Sequence, residues 1–174
     1  MTNPKKVAAC FEEAGFDFDI THFDHRLIAQ KVVYLLEELG VRLGYRGTFS
    51  FYLRGTYSPT LTKDLFGMQE QTRGKVVEPL TAADRGRIAK LVSSVELRPH
   101  MLEVMAAYRF LRSQGLSEDE AIRSIKTTKP FISERDVAVG ISKCKGIFPE
   151  IAAQDLAALD EEMAPWDSAS REDE

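Results

Sequence analysis

The sequence predicts a mainly α (α+β) fold: a multi-helix domain with one small β-ribbon, for which a winged-helix-like arrangement is one candidate. Three observations predict it: apolar residues recur at helical spacing, helix-start signals precede these segments, and one short segment alternates like a strand. A chain of 174 residues with 44% hydrophobic content can form one core without disulfides or metal. We expect residues 1–148 to form a single helix-rich domain and residues 149–174 to form an acidic C-terminal helix and a disordered tail.

Two helices are predicted at the start of the chain. Asn3 and Pro4 resemble an N-cap followed by proline at the first helical position, and Gly15 ends this short helix. A longer helix is predicted from about Asp24 to Leu39 and ends at Gly40. Its apolar residues fall on one stripe at three- and four-residue steps: Leu27, Ile28, Val32, Leu35, Leu36 and Leu39.

One strand is predicted after these helices. Residues 48–53, TFSFYL, alternate apolar and polar side chains with the two-residue period of a half-buried strand. Residues Lys75 to Glu78 are the candidate for a second strand, which would complete a ribbon or wing.

The remaining helices are predicted from their start signals. Hydroxyl residues followed by proline, or by an acid three positions later, mark four helix starts, at Ser58–Pro59, Thr81–Asp84, Ser117–Glu120 and Ser133–Asp136. The first of these four should bury Leu61, Leu65 and Met68 and end near Gly74. Further helices are expected over Pro99–Gln114 and from Pro149 to about Glu161.

Composition and motifs favour a non-enzymatic protein without a cofactor. The chain lacks the P-loop, GxGxxG, GxSxG and HExxH patterns, so the corresponding nucleotide, hydrolase and zinc-protease classes lack their minimal signatures. Cys10 and Cys144 lie far apart and outside any CxxC spacing, which favours reduced, buried thiols. No stretch is long and apolar enough to cross a bilayer, and we expect a cytoplasmic location.

A divalent metal site is the weakest of the chemical hypotheses. Asp17, Asp19, His22, Asp24 and His25 bring two imidazoles and three carboxylates into nine residues. His22 and His25 are therefore candidate ligands, and a metal-dependent enzyme is one alternative function. The same residue types are common as caps and turn residues at a helix start.

Charge is distributed unevenly along the chain. From Glu150 onward nine acids face one base, Arg171, giving about −8, which leaves about +4 for the rest of a chain of net charge −4. This basic body makes a winged-helix-like nucleic-acid-binding regulator an alternative function. Its candidate contacts are Arg85, Arg87, Lys90, Arg109, Arg112, Arg123, Lys126 and Lys129.

A candidate recognition site lies around residues 55–59, the GTYSP loop. Aromatic hydroxyls, cations and a helix N-terminus suited to an anion, a phosphate or a partner carboxylate come together at Lys31, Tyr34, Tyr52, Arg54, Tyr57 and Ser58. The alternative is structural: Tyr34 and Tyr52 pack in the core, Ser58 only caps a helix, and Arg54 is solvated. Trp166 and Met163, set among carboxylates, form a second candidate docking segment.

The motifs QK, VYLL, LGY, FYL and GTYSP, between Gln30 and Pro59, resemble the YwgA-like uncharacterised family and, more distantly, the Panacea (SocA-like antitoxin) domain. Thr56 stands where the family pattern usually has proline. The resemblance implies a helix-rich fold with the GTYSP loop on a functional surface and, for the Panacea branch, neutralisation of a partner. We therefore expect a regulatory or protein-interaction domain, antitoxin-like, with an unknown protein partner.

Overall fold

The computed structural model describes residues 1–52, 55–71 and 78–172, and within them the side chains of all residues except 69–71 and 165–172. These residues form eight α-helices, one short 3-10 helix and one two-stranded antiparallel sheet. The α-helices are α1 Pro4–Glu13, α2 Phe23–Glu38, α3 Pro59–Gln71, α4 Ala82–Val95, α5 Pro99–Ser113, α6 Glu118–Thr128, α7 Glu134–Ile147 and α8 Pro149–Glu172. The strands are β1 Ser50–Tyr52 and β2 Gly55–Tyr57. The predicted mainly helical fold with one small ribbon is confirmed.

The helix starts form where the local sequence predicts them, because capping needs contacts only a few residues apart. Asn3 Oδ1 accepts the Lys6 N–H at 3.0 Å, and Ser58 Oγ accepts the Leu61 N–H at 3.1 Å. Complete capping boxes form at Thr81 with Asp84 and at Ser117 with Glu120, and Ser133 caps α7.

Helix α5 lies at the centre of the core and packs against α2, α6 and α7. Almost all of its apolar side chains are buried, including Leu102, Val104 and Tyr108. Helix α7 lies close to α5 at Gly140, where an added Cβ would lie 2.6 Å from Val104 Cγ1. The glycine therefore sets the separation of the two helices.

The ribbon differs from its prediction. Its first strand is shorter than residues 48–53, since Arg46–Thr48 form a 3-10 turn and pairing begins at Ser50. Its second strand is Gly55–Tyr57, in antiparallel register with Ser50 opposite Tyr57 and Tyr52 opposite Gly55. The second strand has only three residues, which is too few to show a two-residue period. The Ser58–Pro59 pair that follows it predicts the start of a helix instead. Of the predicted strand Lys75 to Glu78, residues 75–77 lie outside the described residues.

Helix α8 is longer than predicted, so its expected end near Glu161 is wrong. The helix continues through Pro165 to Glu172, and the backbone of residues 168–172, expected in the disordered tail, is helical. Alanine and glutamate, which are strong helix formers, lie on both sides of the proline. Met163 is exposed on α8, while the Trp166 side chain lies outside the described part of the chain.

None of the helices in residues 1–52, 55–71 and 78–172 is both long and apolar enough to cross a bilayer.

We predict that Gly140→Ala destabilises the protein by about 1–3 kcal/mol, because the new methyl group overpacks the α5–α7 contact. The added Cβ would lie 2.6 Å from Val104 Cγ1 and 2.9 Å from Val104 Cβ. Urea unfolding measures the change. Gly146→Ala is the control, because it lies in the same helix with no atom within 4 Å of the new Cβ. Equal unfolding free energies for the two variants would contradict the proposed close packing.

Candidate functional site

A cleft of about 580 Å³ lies between the N-terminal half of α2, the β1–β2 hairpin and α3. Most of its lining is apolar or aromatic. The lining residues are Ile20, Phe23, Arg26, Leu27, Gln30, Lys31, Tyr52, Tyr57, Thr62, Leu65 and Phe66. We call this surface the aromatic cleft.

Four large side chains on the cleft remain exposed. Phe23 is 49% exposed, Tyr52 51%, Tyr57 36% and Phe66 54%. The Tyr52 and Tyr57 rings meet edge to face with centroids 5.7 Å apart, because the two strands place them near each other on the outer face of the hairpin. Exposed aromatic residues that gather at one place mark binding surfaces more often than scattered ones do.

The four exposed aromatic residues form the rim of the cleft. Beneath this rim, Gln30 fixes the hairpin and α3 to α2. Its side-chain oxygen accepts the Ser58 N–H at 2.9 Å, and its Nε2 donates to the Ser58 carbonyl at 3.1 Å and to Thr62 Oγ1 at 2.9 Å. Thr62 Oγ1 in turn donates to the Tyr57 hydroxyl at 2.9 Å. One buried amide therefore holds three elements of the cleft in a fixed arrangement.

Three buried charged side chains lie behind the hairpin, and we call them the lysine cluster. Lys31, Glu103 and Lys129 are 2%, 1% and 0% exposed. Lys129 Nζ forms an ion pair with Glu103 Oε1, and Lys31 Nζ donates to the Thr56 carbonyl. An added Cβ at Gly55 would lie 3.6 Å from both Nζ atoms, so the hairpin backbone covers both amines closely.

Lys31 belongs to the cluster and also lines the cleft. Burial lowers the pKa of Lys31 to about 7; Glu103 opposes this shift and Lys129 adds to it. Its protonation therefore changes near neutral pH. With both lysines protonated, the cluster holds two positive charges against one carboxylate.

Three of the six predicted recognition residues, Lys31, Tyr52 and Tyr57, come together on the cleft. Tyr34 does not join them, because it is 3% exposed and packs edge-on against Phe49, with centroids 5.2 Å apart. Its prediction as a surface residue is wrong, and burial raises the pKa of its hydroxyl.

Ser58 is also buried, and its hydroxyl caps α3 and lies 2.6 Å from Thr48 Oγ1. Ser58 therefore caps α3, as the helix-start pattern predicts, and its hydroxyl is not presented at the surface. Arg54 lies outside the described residues.

The predicted site residues did not include Phe23, Phe66, Gln30 or Glu103. A usable signal existed for Phe66, which lies off the Leu61–Leu65–Met68 stripe of α3 and so had to face outward. No local signal marks Glu103, because its partner Lys129 is 26 positions away.

The metal candidates form a turn network. The Asp19 N–H donates to His25 Nδ1 at 3.1 Å, and His22 Nε2 lies 3.4 Å from Asp19 Oδ2. Within residues 1–52, 55–71 and 78–172, no group of three or more His, Cys, Asp or Glu side chains is placed to hold a metal ion.

The cations proposed for nucleic-acid contact are mostly engaged within the protein. Arg109 lies 2.9 Å from both Glu38 and Glu150, and Arg112 lies 2.6 Å from Asp155. Four others pair or bond elsewhere: Arg85 with Glu13, Arg87 with Asp84, Lys126 with Glu134, and Lys90 with the Ile147 carbonyl. Lys129 is buried, so it is not available for such contacts.

Cys10 and Cys144 are free and buried, as predicted. Burial raises the pKa of each thiol to about 12, so both remain protonated near neutral pH.

No family model, curated protein or solved structure matches this chain. The resemblance to the YwgA-like family and the Panacea domain therefore stays a prediction.

We predict that Lys31 makes the stability of the protein depend on pH. The pKa of Lys31 is about 7 in the folded chain against 10.5 for an ordinary lysine. Between these values the unfolded chain binds more protons, so the free energy of unfolding rises with pH, on the order of a few kcal/mol over the range. Lys31→Met should remove this rise.

Urea unfolding at several pH values from 6 to about 10.5 measures the effect. Lys63→Met is the control, because Lys63 is exposed on α3 and its loss should leave the wild-type dependence intact. Identical pH dependence in wild type and Lys31→Met would show that the buried amine is not perturbed.

Proposed function

We propose that this protein is a non-enzymatic regulatory domain whose aromatic cleft binds an apolar segment of a partner protein. One observation carries the proposal: Phe23, Tyr52, Tyr57 and Phe66, each at least one-third exposed, surround the same cleft. Aromatic residues are enriched at protein interfaces and dominate their binding energy.

The exposure of the rim favours a protein over a small molecule. Sites for small ligands usually bury most of the ligand, and they do so with walls that are themselves enclosed. Here Phe66 is 54% exposed and Tyr52 is 51% exposed. A partner that covers both side chains must therefore extend beyond the interior of the cleft.

The cleft is also held in place before any partner arrives. The Gln30 hydrogen bonds tie α2 to α3, and Lys31 ties α2 to the hairpin through the Thr56 carbonyl. A preformed site loses little conformational entropy on binding, so more of the contact energy is expressed as affinity.

The family resemblance supports the same function and narrows its kind. It implies an antitoxin-like domain in which the GTYSP loop meets the partner. Within that loop, Tyr57 is the side chain that faces the cleft, while Thr56 and Ser58 are fully buried. We therefore assign recognition to Tyr57 with its neighbour Tyr52, and structure to the rest of the loop.

A pull-down from native cell extract with matched variants tests the proposal. Phe66→Ser removes a rim residue that is 54% exposed, and Phe131→Ser removes a residue that is 56% exposed and does not line the cleft. We expect a protein that wild type and Phe131→Ser retain and that Phe66→Ser and Tyr52→Ala/Tyr57→Ala lose by about tenfold or more.

Circular dichroism confirms that each variant is folded before comparison. Capture of the same proteins by all variants would contradict the assignment to the cleft. Recovery of nucleic acid that is released steeply by salt would instead favour the nucleic-acid-binding alternative.

A further inference from the structure

We propose that the exposed face of helix α8 binds a basic amphipathic helix of a partner protein. This surface is separate from the aromatic cleft, since none of the described residues that line the cleft belongs to α8. Three features carry the proposal: the way in which α8 leaves the domain, the spacing of its exposed apolar side chains, and the acids beside them.

The first two turns of α8 anchor the helix to the rest of the protein. Ile151 is buried against the core. The Asp155 carboxylate lies 2.6 Å from Arg112 Nη1 and 2.8 Å from Lys145 Nζ, so it is held by cations from both α5 and α7. These contacts fix the direction in which the helix continues.

Beyond Asp155 the helix projects into solvent. Every side chain from Leu156 to Met163 is exposed, while the backbone remains helical to Glu172. At about 1.5 Å per residue, the part from Leu156 to Glu172 is about 25 Å long. Helices in proteins gain most of their stability when an amphipathic face packs against a neighbour. A projecting helix with exposed leucines is therefore suited to pack against another molecule.

The exposed apolar side chains of this segment form one strip. Leu156, Leu159 and Met163 are 63%, 52% and 47% exposed, and we call them the α8 seam. Their spacing of three and then four residues is that of the a and d positions of a coiled coil, and the sequence continues it to Trp166. Side chains at this spacing lie on one side of a helix. The seam therefore offers a continuous apolar strip to a second helix.

Acidic side chains flank the seam on both sides. When Leu159 and Met163 occupy d and a positions, Asp160 and Glu162 occupy the neighbouring e and g positions, and both are exposed. In coiled coils the e and g side chains lie against the partner helix, and their charges decide which partner is accepted. The matching positions of the partner are therefore lysine or arginine.

A second copy of α8 is a poor partner by the same criterion. Two α8 seams packed together would place acidic flank against acidic flank, whether the helices were parallel or antiparallel. Like charges in contact oppose association. The acids thus favour a different, basic helix over self-association.

Three designed peptides of about three heptads test the proposal on the full chain. The first has leucine at its a and d positions and lysine at its e and g positions. The second has glutamate in place of each lysine, and the third has the composition of the first in scrambled order. Fluorescence anisotropy of the labelled peptides measures binding. We expect wild type to bind the lysine peptide about tenfold or more tightly than either of the others.

Matched variants locate the binding on the seam. Leu159→Asp and Ala158→Asp place the same charge one position apart on the exposed part of α8. Leu159→Asp should weaken binding of the lysine peptide by about tenfold or more, whereas Ala158→Asp lies off the seam and should bind like wild type. Asp160→Lys/Glu162→Lys should prefer the glutamate peptide instead. Phe66→Ser should bind the lysine peptide like wild type, because the cleft is not involved. Circular dichroism checks that each variant is folded.

Several results would overturn the proposal. Equally tight binding of the scrambled peptide would show a general attraction between a basic peptide and acidic residues. Equal affinities of Leu159→Asp and Ala158→Asp would exclude the seam as the site, and so would the absence of binding to wild type up to about 1 mM peptide. Loss of binding in Phe66→Ser with retention in Leu159→Asp would place the peptide in the cleft.

Sedimentation of purified wild type tests the remaining occupant, a second copy of the chain. The acidic flanks predict a monomer. Self-association that Leu159→Asp abolishes and Ala158→Asp retains would overturn the assignment to a separate basic partner. None of these results bears on the function proposed for the aromatic cleft, which the pull-down tests separately.

Discussion

The placement of the β1–β2 hairpin over two buried amines is the constraint on which the site depends. Lys31 holds the hairpin through the Thr56 carbonyl, and Lys129 lies under Gly55 while paired with Glu103. Because the hairpin carries Tyr52 and Tyr57, its position sets one wall of the aromatic cleft. The buried charges thus help to set the position of two exposed rings.

Burying three charged side chains lowers the stability of the folded protein, and this cost needs a physical explanation. Replacing buried ion pairs by apolar residues is often neutral or stabilising, so a buried lysine with a lowered pKa is not explained by folding alone. The apolar core around α5 and α7 contributes enough packing energy for the fold to include these buried charges. The hydrogen bond from Lys31 to the Thr56 carbonyl gives a physical reason for an amine at this place, because it fixes the hairpin to α2.

The helices could be predicted from sequence because their signals are local. The capping boxes at Thr81 and Ser117 need only residues three positions apart, and both are formed. The hairpin and the lysine cluster were harder. The second strand has three residues and no period, and Glu103 meets Lys129 only after α5 and α6 have packed. Tyr34 shows the same limit, since a tyrosine on a helix suits the core and the surface equally well until its neighbours are known.

The side-chain titration of Lys31 tests the central claim most directly. Lysine labelled with 13C and 15N allows the Cε–Hε signals to be followed with pH, and Lys31→Arg assigns the signal of interest. The account predicts a pKa of about 7 for Lys31, because the hairpin covers its amine and keeps water away from it. A pKa near 10.5 would contradict it, because the amine would then behave as one exposed to solvent.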